Sequence, residues 1–164
     1  MASVEDLRGV ALFEDLRDQM LEELVPIVQK ESFEERKIVF EAGDKADFFY
    51  SLKRGKVLLE AELAPAVIIS LGAIKPGYSF GWSALAPAAS HTCYAVCAEP
   101  SEILVLPGDK FTGLLHRDHT MGYMVMQKTA RILENRLERR TAQFLKVISK
   151  HPDIGRLLGL EVPT

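Results

Sequence analysis

The chain has 164 residues, of which 48% are hydrophobic and 26% charged, with a formal net charge of −3 and a pI near 5.8. That length and balance suit one globular domain with its own core, and the acidic balance lacks the basic excess expected of a nucleic-acid binder. No stretch is long and apolar enough to cross a bilayer, and the opening MASVEDLRGV has no apolar signal core, which implies a cytoplasmic protein without a membrane partner.

From residue 3 to residue 30 the apolar side chains Leu7, Val10, Phe13, Leu16, Met20, Leu21, Leu24 and Val28 recur at three- and four-residue steps. This spacing predicts amphipathic helix, best read as two helices broken near residues 11–15, so that 1–30 forms an N-terminal helical segment. Between residues 31 and 71 the texture changes to short β-prone runs, KIVFEAGD, FFYSLKRGKVLLEAEL and APAVIISLG. Arg54-Gly55 reads as a hairpin and Ala42-Gly43-Asp44 as a further turn, which together suggest an antiparallel barrel or jelly roll over 31–107.

Residues 71–98, LGAIKPGYSFGWSALAPAASHTCYAVCA, hold the stretch of greatest chemical interest. Gly77-Tyr78-Ser79-Phe80-Gly81 lies between a strand-like run and a small-residue segment suited to one helical turn at Trp82 to Leu85, and a second strand-like run begins at Thr92. Strand, glycine turn and short helix present backbone amides to an anion, although a plain β-turn between two strands has the same look. Cys93 and Cys97 stand four apart in an extended run, about 13 Å between Cα atoms and beyond disulfide reach. They read as reduced residues, and no neighbouring His pair completes a metal site.

EILVLP is the last β run, ended by Pro107, and the chain is helical afterwards. Asp109 is placed to cap a short helix, KFTGLLHRD, and a second helix follows over 119–150. That helix would measure roughly 45 Å at the standard rise, too long for a domain of this size to cover. Met126, Ala130, Leu133, Leu137, Phe144 and Val147 keep a four-three heptad rhythm interrupted only by Arg140, with Arg131, Glu134, Arg136, Glu138 and Arg139 beside it. A narrow seam of this kind predicts a parallel helix pair and hence a homodimer, the other arrangement being a helix folded back on its own barrel. Residues 108–150 are the C-terminal helices, and 151–164 reads as a tail of the same single domain.

The order of parts resembles the cyclic-nucleotide-binding domain, as found in the bacterial catabolite activator and in eukaryotic kinases and channels. The residues that carry the resemblance are Glu41-Ala-Gly-Asp44, Phe49-Tyr50, Gly55-Lys-Val57, Leu71-Gly72, Pro76-Gly77, Phe80-Gly81 and Ala84-Leu85. It implies a mainly β fold with flanking α elements: an eight-stranded double-stranded β-helix, or jelly-roll barrel, with N-terminal helices and a long C-terminal dimerisation helix. It also implies a phosphate cassette at Phe80, Gly81, Trp82, Ser83, Ala84, Leu85, His91 and Thr92. In the family the cassette reads Phe-Gly-Glu-x-Ala-Leu and continues to a Pro-Arg pair; the Glu holds the ribose hydroxyl and the Arg the cyclic phosphate. Here Trp82 stands at the Glu, Ser90 at the Pro and His91 at the Arg, so both polar anchors are missing.

His offers fewer donors than an Arg fork and is mostly neutral near pH 7, while an indole accepts no hydroxyl bond and fills space or stacks instead. The amides of residues 81–84, the Ser83 and Thr92 hydroxyls and His91 remain as an anion nest, with a protonated His91 restoring some attraction. Arg131, Glu134 and Asn135 are candidate lids, since the family's base contacts come from the long helix. The expected function is a regulatory sensor domain without its own DNA-binding module, its ligand a cyclic nucleotide held in an altered way or another small anion. The alternative is a non-binding fold acting as a dimerisation or protein-interaction module, with an unidentified protein partner and no direct DNA contact. No cofactor, metal or enzymatic step is implied: His91, His116, His119 and His151 offer no cupin-type pair, and no nucleophile stands with a base.

Overall fold

The computed structural model describes residues 2–86 and 88–151, and its contacts divide into two compact units, Met1–Val125 and Met126–Thr164. The first unit begins with α1 (Val4–Arg8), a 3₁₀ turn (Ala11–Phe13), α2 (Asp18–Leu24) and a second 3₁₀ turn (Val25–Ile27). Ser3 and Asp6 start α1 with a reciprocal capping box, in which each side chain accepts from the other's backbone amide at 3.2 and 2.9 Å. The predicted break at residues 11–15 is present, but helix does not continue to residue 30.

Strand β1 (Gln29–Phe33) already occupies that place, followed by β2 (Ile38–Phe40), β3 (Phe48–Arg54), β4 (Val57–Ala64), β5 (Val67–Ile74), β6 (Ser79–Phe80), β7 (Tyr94–Cys97) and β8 (Ser101–Pro107). The eight strands form two four-stranded antiparallel sheets, ordered β1-β8-β3-β6 and β2-β7-β4-β5, which together make the jelly roll. The expected barrel closure is corrected: the sheets face each other without joining edge to edge. The hairpin expected at Arg54-Gly55 is corrected as well, because β3 and β4 pair in different sheets and the turn carries the chain across between them. Gly55 has φ 96°, and a Cβ there would lie 2.6 Å from the Pro100 carbonyl, so this corner admits glycine alone without rearrangement.

Residue alternation sorts the core into two layers. Between the sheets lie Phe40, Tyr50, Leu52, Val57, Ile74, Phe80, Ala95, Cys97, Ile103 and Val105. On the other face of the first sheet, Phe49, Leu104 and Leu106 are fully buried, and Phe49 meets Phe111, which in turn meets Phe13. The helical layer is also clasped electrostatically. Lys53 Nζ reaches Asp6 Oδ1 at 2.7 Å and Glu102 Oε1 at 2.8 Å. Burial would raise the Asp6 carboxyl, but the Lys53 and Ser3 hydrogen bonds outweigh it and hold the group at about 2.

α3 (Gly108–Arg117) follows β8 directly, with Asp109 in its first turn rather than capping it. Asp118 then caps α4 (His119–Ser149), its Oδ1 accepting from the Thr120 and Met121 amides at 2.9 and 3.0 Å. The predicted long helix is therefore present at 31 residues. The part from Met126 onward belongs to the second unit. Among the described residues no helix is long and apolar enough to cross a membrane.

Candidate functional site

The cassette starts where β6 runs into Gly81, whose φ of 74° and ψ of 33° are left-handed. A Cβ at Gly81 would fall 2.7 Å from the Tyr50 ring and 3.2 Å from the Phe48 carbonyl, so both conformation and space demand glycine. The reversal sets up a 3₁₀ turn, Trp82–Leu85, at the place where the sequence predicts one helical turn. Ala84 N donates to the Gly81 carbonyl at 3.1 Å and Ala86 N to the Ser83 carbonyl at 3.0 Å. One of the four amides read as an anion nest, that of Ala84, is thus already used inside the turn.

The two anchor positions are both engaged in aromatic packing, on opposite sides of the first sheet. Trp82 presents its indole edge to Phe49, with centroids 5.1 Å apart and an interplanar angle of 72°. This extends the row that runs through Phe49 and Phe111 to Phe13, so the indole joins the helix-facing layer. His91 goes the other way. Its ring is 5% exposed and lies flat on Phe40, centroids 3.6 Å apart and planes 8° from parallel. Phe40 also packs on Tyr50 at 5.5 Å and Phe80 at 6.1 Å, and Tyr50 stacks on Phe80 at 5.2 Å. Four rings therefore fill the space between the sheets beside Gly81.

The backbone fixes this arrangement. His91 N donates to the Asp44 carbonyl at 2.8 Å, Gly43 N to the His91 carbonyl at 2.8 Å and Ala46 N to the Ala89 carbonyl at 2.9 Å, which zips the cassette exit onto the turn before β3. Burial pushes the His91 pKa down, against the opposing pull of Asp44 and Asp47. A neutral imidazole in a ring stack is a packing group, which removes the phosphate attraction that a protonated His91 would supply.

The other predicted site residues are spread out. Phe80 and Ala84 are buried, Ser83 and Leu85 half-buried, and Thr92 is exposed. Arg131, Glu134 and Asn135, the candidate lids, lie exposed on α4 within the second unit. The predicted seam is open: Met126, Leu133, Leu137, Phe144 and Val147 are 43, 42, 68, 64 and 70% exposed. A groove of about 730 Å³ is walled by Ala84 and Leu85 of the cassette together with residues that include Lys45, Asp47, Asp109 and His116. Lys45 and Asp47 are paired across 2.6 Å in that groove. Among the described residues no His, Cys, Asp and Glu cluster could hold a metal ion, and Cys93 and Cys97 are not joined in a disulfide.

Phe40 and Tyr50 lie outside the set of site residues that the sequence predicts. The available signal was their aromaticity close to the two glycine turns, but a strand core explains an isolated Phe equally well.

Comparison with known proteins follows the same lines. The model of the cyclic nucleotide-binding domain matches residues 30–118, more than half of the chain. A candidate cyclic nucleotide-binding protein from Geobacter metallireducens GS-15 superimposes with a TM-score of 0.73 at 26% identity, over 84% of this chain and 99% of that one. The catabolite activator protein of Thermus thermophilus gives 0.70 at 25% identity, over 85% of this chain and 63% of that one. A cyclic nucleotide-binding domain from Methylobacillus flagellatus gives 0.75 at 18% identity, over 87% and 80% of the two chains, a likeness of fold.

Proposed function

The chain belongs to the cyclic nucleotide-binding domain family, and from that premise we propose that it is a regulatory module in which an aromatic lock replaces the family's polar grip on a cyclic nucleotide. It acts as a homodimer through α4 and catalyses no reaction. The observation that carries this reading is the His91 ring lying on Phe40 at 3.6 Å, at the position where the family places its phosphate-binding arginine. A ligand in the family's manner needs room between the sheets and a positive fork at the cassette. Here that room holds Phe40, Tyr50, Phe80 and His91, each no more than 7% exposed, and the one basic group is kept neutral.

The dimer reading rests on the exposed seam. Five large apolar side chains at heptad spacing on one helix leave apolar surface in water, and a parallel copy of the same helix covers it with matching knobs and holes. A second reading, a sensor for a small anion, has one supporting feature in the retained left-handed Gly81 and its 3₁₀ turn. Calorimetric titration of the purified chain with cyclic AMP, cyclic GMP and inorganic phosphate separates the two, the expected outcome being no saturable binding at micromolar concentrations of any of them.

A further inference from the structure

The groove that Ala84 and Leu85 share with α3 has walls tied to one another by the backbone. Gly108, which begins α3, packs so closely on the cassette turn that a Cβ there would lie 2.5 Å from the Ala84 carbonyl, and its amide donates to the Asp47 carbonyl at 2.8 Å. Ala46 N reaches the Ala89 carbonyl at 2.9 Å. The turn before β3, the exit of the cassette and the start of α3 are thereby fixed around a hollow of about 730 Å³, inside the range of roughly 300–1,000 Å³ typical of small-ligand clefts. Among the described residues neither Trp82 nor His91 lines it, so this hollow is distinct from the ring-filled space beside Gly81.

Its lining has a definite chemical sense. Asp47 and Asp109 are acids and Lys45 is a base, so with His116 counted as neutral the lining carries one negative charge in excess. The Lys45 ammonium is held by Asp47 at 2.6 Å. Asp109 and Thr112 stand at i and i+3 of α3 and are neighbours on its surface. The Thr112 hydroxyl donates to the Gly108 carbonyl at 2.7 Å, which leaves its oxygen as an acceptor beside the Asp109 carboxylate. The rest of the lining is largely apolar: Phe48, 42% exposed, with Leu85, Pro107 and a run of alanines. Acceptors next to an uncovered ring and small aliphatic side chains suit a donor-rich cation on an apolar body, since an ammonium brings three N–H donors and an aromatic face attracts positive charge.

We propose that this groove is a binding site for a small organic cation, a primary amine carried on an apolar ring or chain, with Asp109 and Thr112 accepting from the ammonium and Phe48 covering the apolar body. The site lies within one chain and needs neither the homodimer nor an open cassette. It supplies a regulatory module with an input of opposite charge to the cyclic nucleotides of its family.

Amide shifts of the full chain in nuclear magnetic resonance, titrated with benzylamine, benzyl alcohol and benzoate, test this. Benzylamine should give saturable shifts at residues 84–86 and 109–116 with a dissociation constant of about 1 mM. Benzyl alcohol, of the same shape without the charge, should bind about tenfold more weakly, and benzoate should not bind. Asp109→Asn should weaken benzylamine about tenfold. Lys45→Gln removes the competing ammonium and should tighten it a few-fold, a gain that a damaged fold could not produce. Shifts that fail to saturate by about 10 mM, that fall elsewhere on the chain, or that benzyl alcohol reproduces at equal concentration would overturn the site, as would unchanged affinity in Asp109→Asn or weaker binding in Lys45→Gln.

Discussion

The space beside the cassette and the seam of α4 draw on the same apolar residue types and treat them in opposite ways. Beside the cassette, Phe40, Tyr50, Phe80 and His91 are exposed by 7% or less and contact one another ring to ring. Along the seam, Leu137, Phe144 and Val147 are at least 64% exposed. Apolar side chains gain free energy wherever water is excluded, so the first group has collected its gain within the chain and the second still has it to collect. The contrast teaches where apolar surface is left over: the space beside the cassette is filled by the chain's own rings, and the seam of α4 is uncovered.

The contrast breaks most completely if the seam proves inert. Leu133→Asp with Leu137→Asp puts carboxylates into the apolar contact, and each unpaired charge there costs several kcal/mol. The expected result is a monomer at every accessible concentration, read by light scattering; a double variant that remains dimeric would place the interface elsewhere. Next in size is Phe40→Ala, which empties the centre of the ring stack. Stability should fall by about 3–5 kcal/mol in denaturant unfolding, with the dimer constant unchanged because the two sites are independent. A loss below about 1 kcal/mol would mean that the stack closes nothing.

A smaller effect sharpens the comparison at the ligand side. Trp82→Glu with His91→Arg restores both polar anchors and should raise cyclic AMP affinity about tenfold over the unmodified chain. Adding Phe40→Leu should raise it again, since the anchors need the room that the ring occupies. If the third change adds nothing, the rings are not the barrier. The smallest effect is on pH. The folded chain binds a proton at His91 less readily than the unfolded chain does, so stability is level above pH about 6.5 and falls as pH drops through that value. His91→Phe should flatten this part of the profile, as read by thermal unfolding between pH 5 and pH 7; an unaltered slope would assign it to another group.

Much of the fold was legible because it is written in local signals. Glycines 43, 55, 77 and 81 all have positive φ, and each belongs to a turn that the sequence predicts. The heptad rhythm marks α4, expected over 119–150 and found over His119–Ser149. β1 was missed because QKESF, an edge strand, is polar and mostly exposed and has no apolar alternation to betray it. The Arg54-Gly55 corner was misread as a hairpin because a two-residue glycine turn looks alike whether the strands pair or part.

At the site, the absence of Glu and Arg from the cassette is a matter of counting residues, so sequence suffices to see it. Where the replacements go is a matter of three dimensions. Trp82 turns to the helical layer and His91 to the space between the sheets, a division set by which side of β3 each meets, through Phe49 and Tyr50. Adjacent residues of one strand face opposite ways, and no spacing along the cassette records that choice.

The central claim is that the cassette is closed to the family's ligand by the protein's own rings. Calorimetric titration of the unmodified, purified chain with cyclic AMP and with cyclic GMP at neutral pH addresses it directly. The account predicts no saturable heat up to hundreds of micromolar of either nucleotide, which corresponds to binding weaker than about −5 kcal/mol. Saturable binding of either one at low micromolar concentration, unchanged between pH 6 and pH 8, would contradict it.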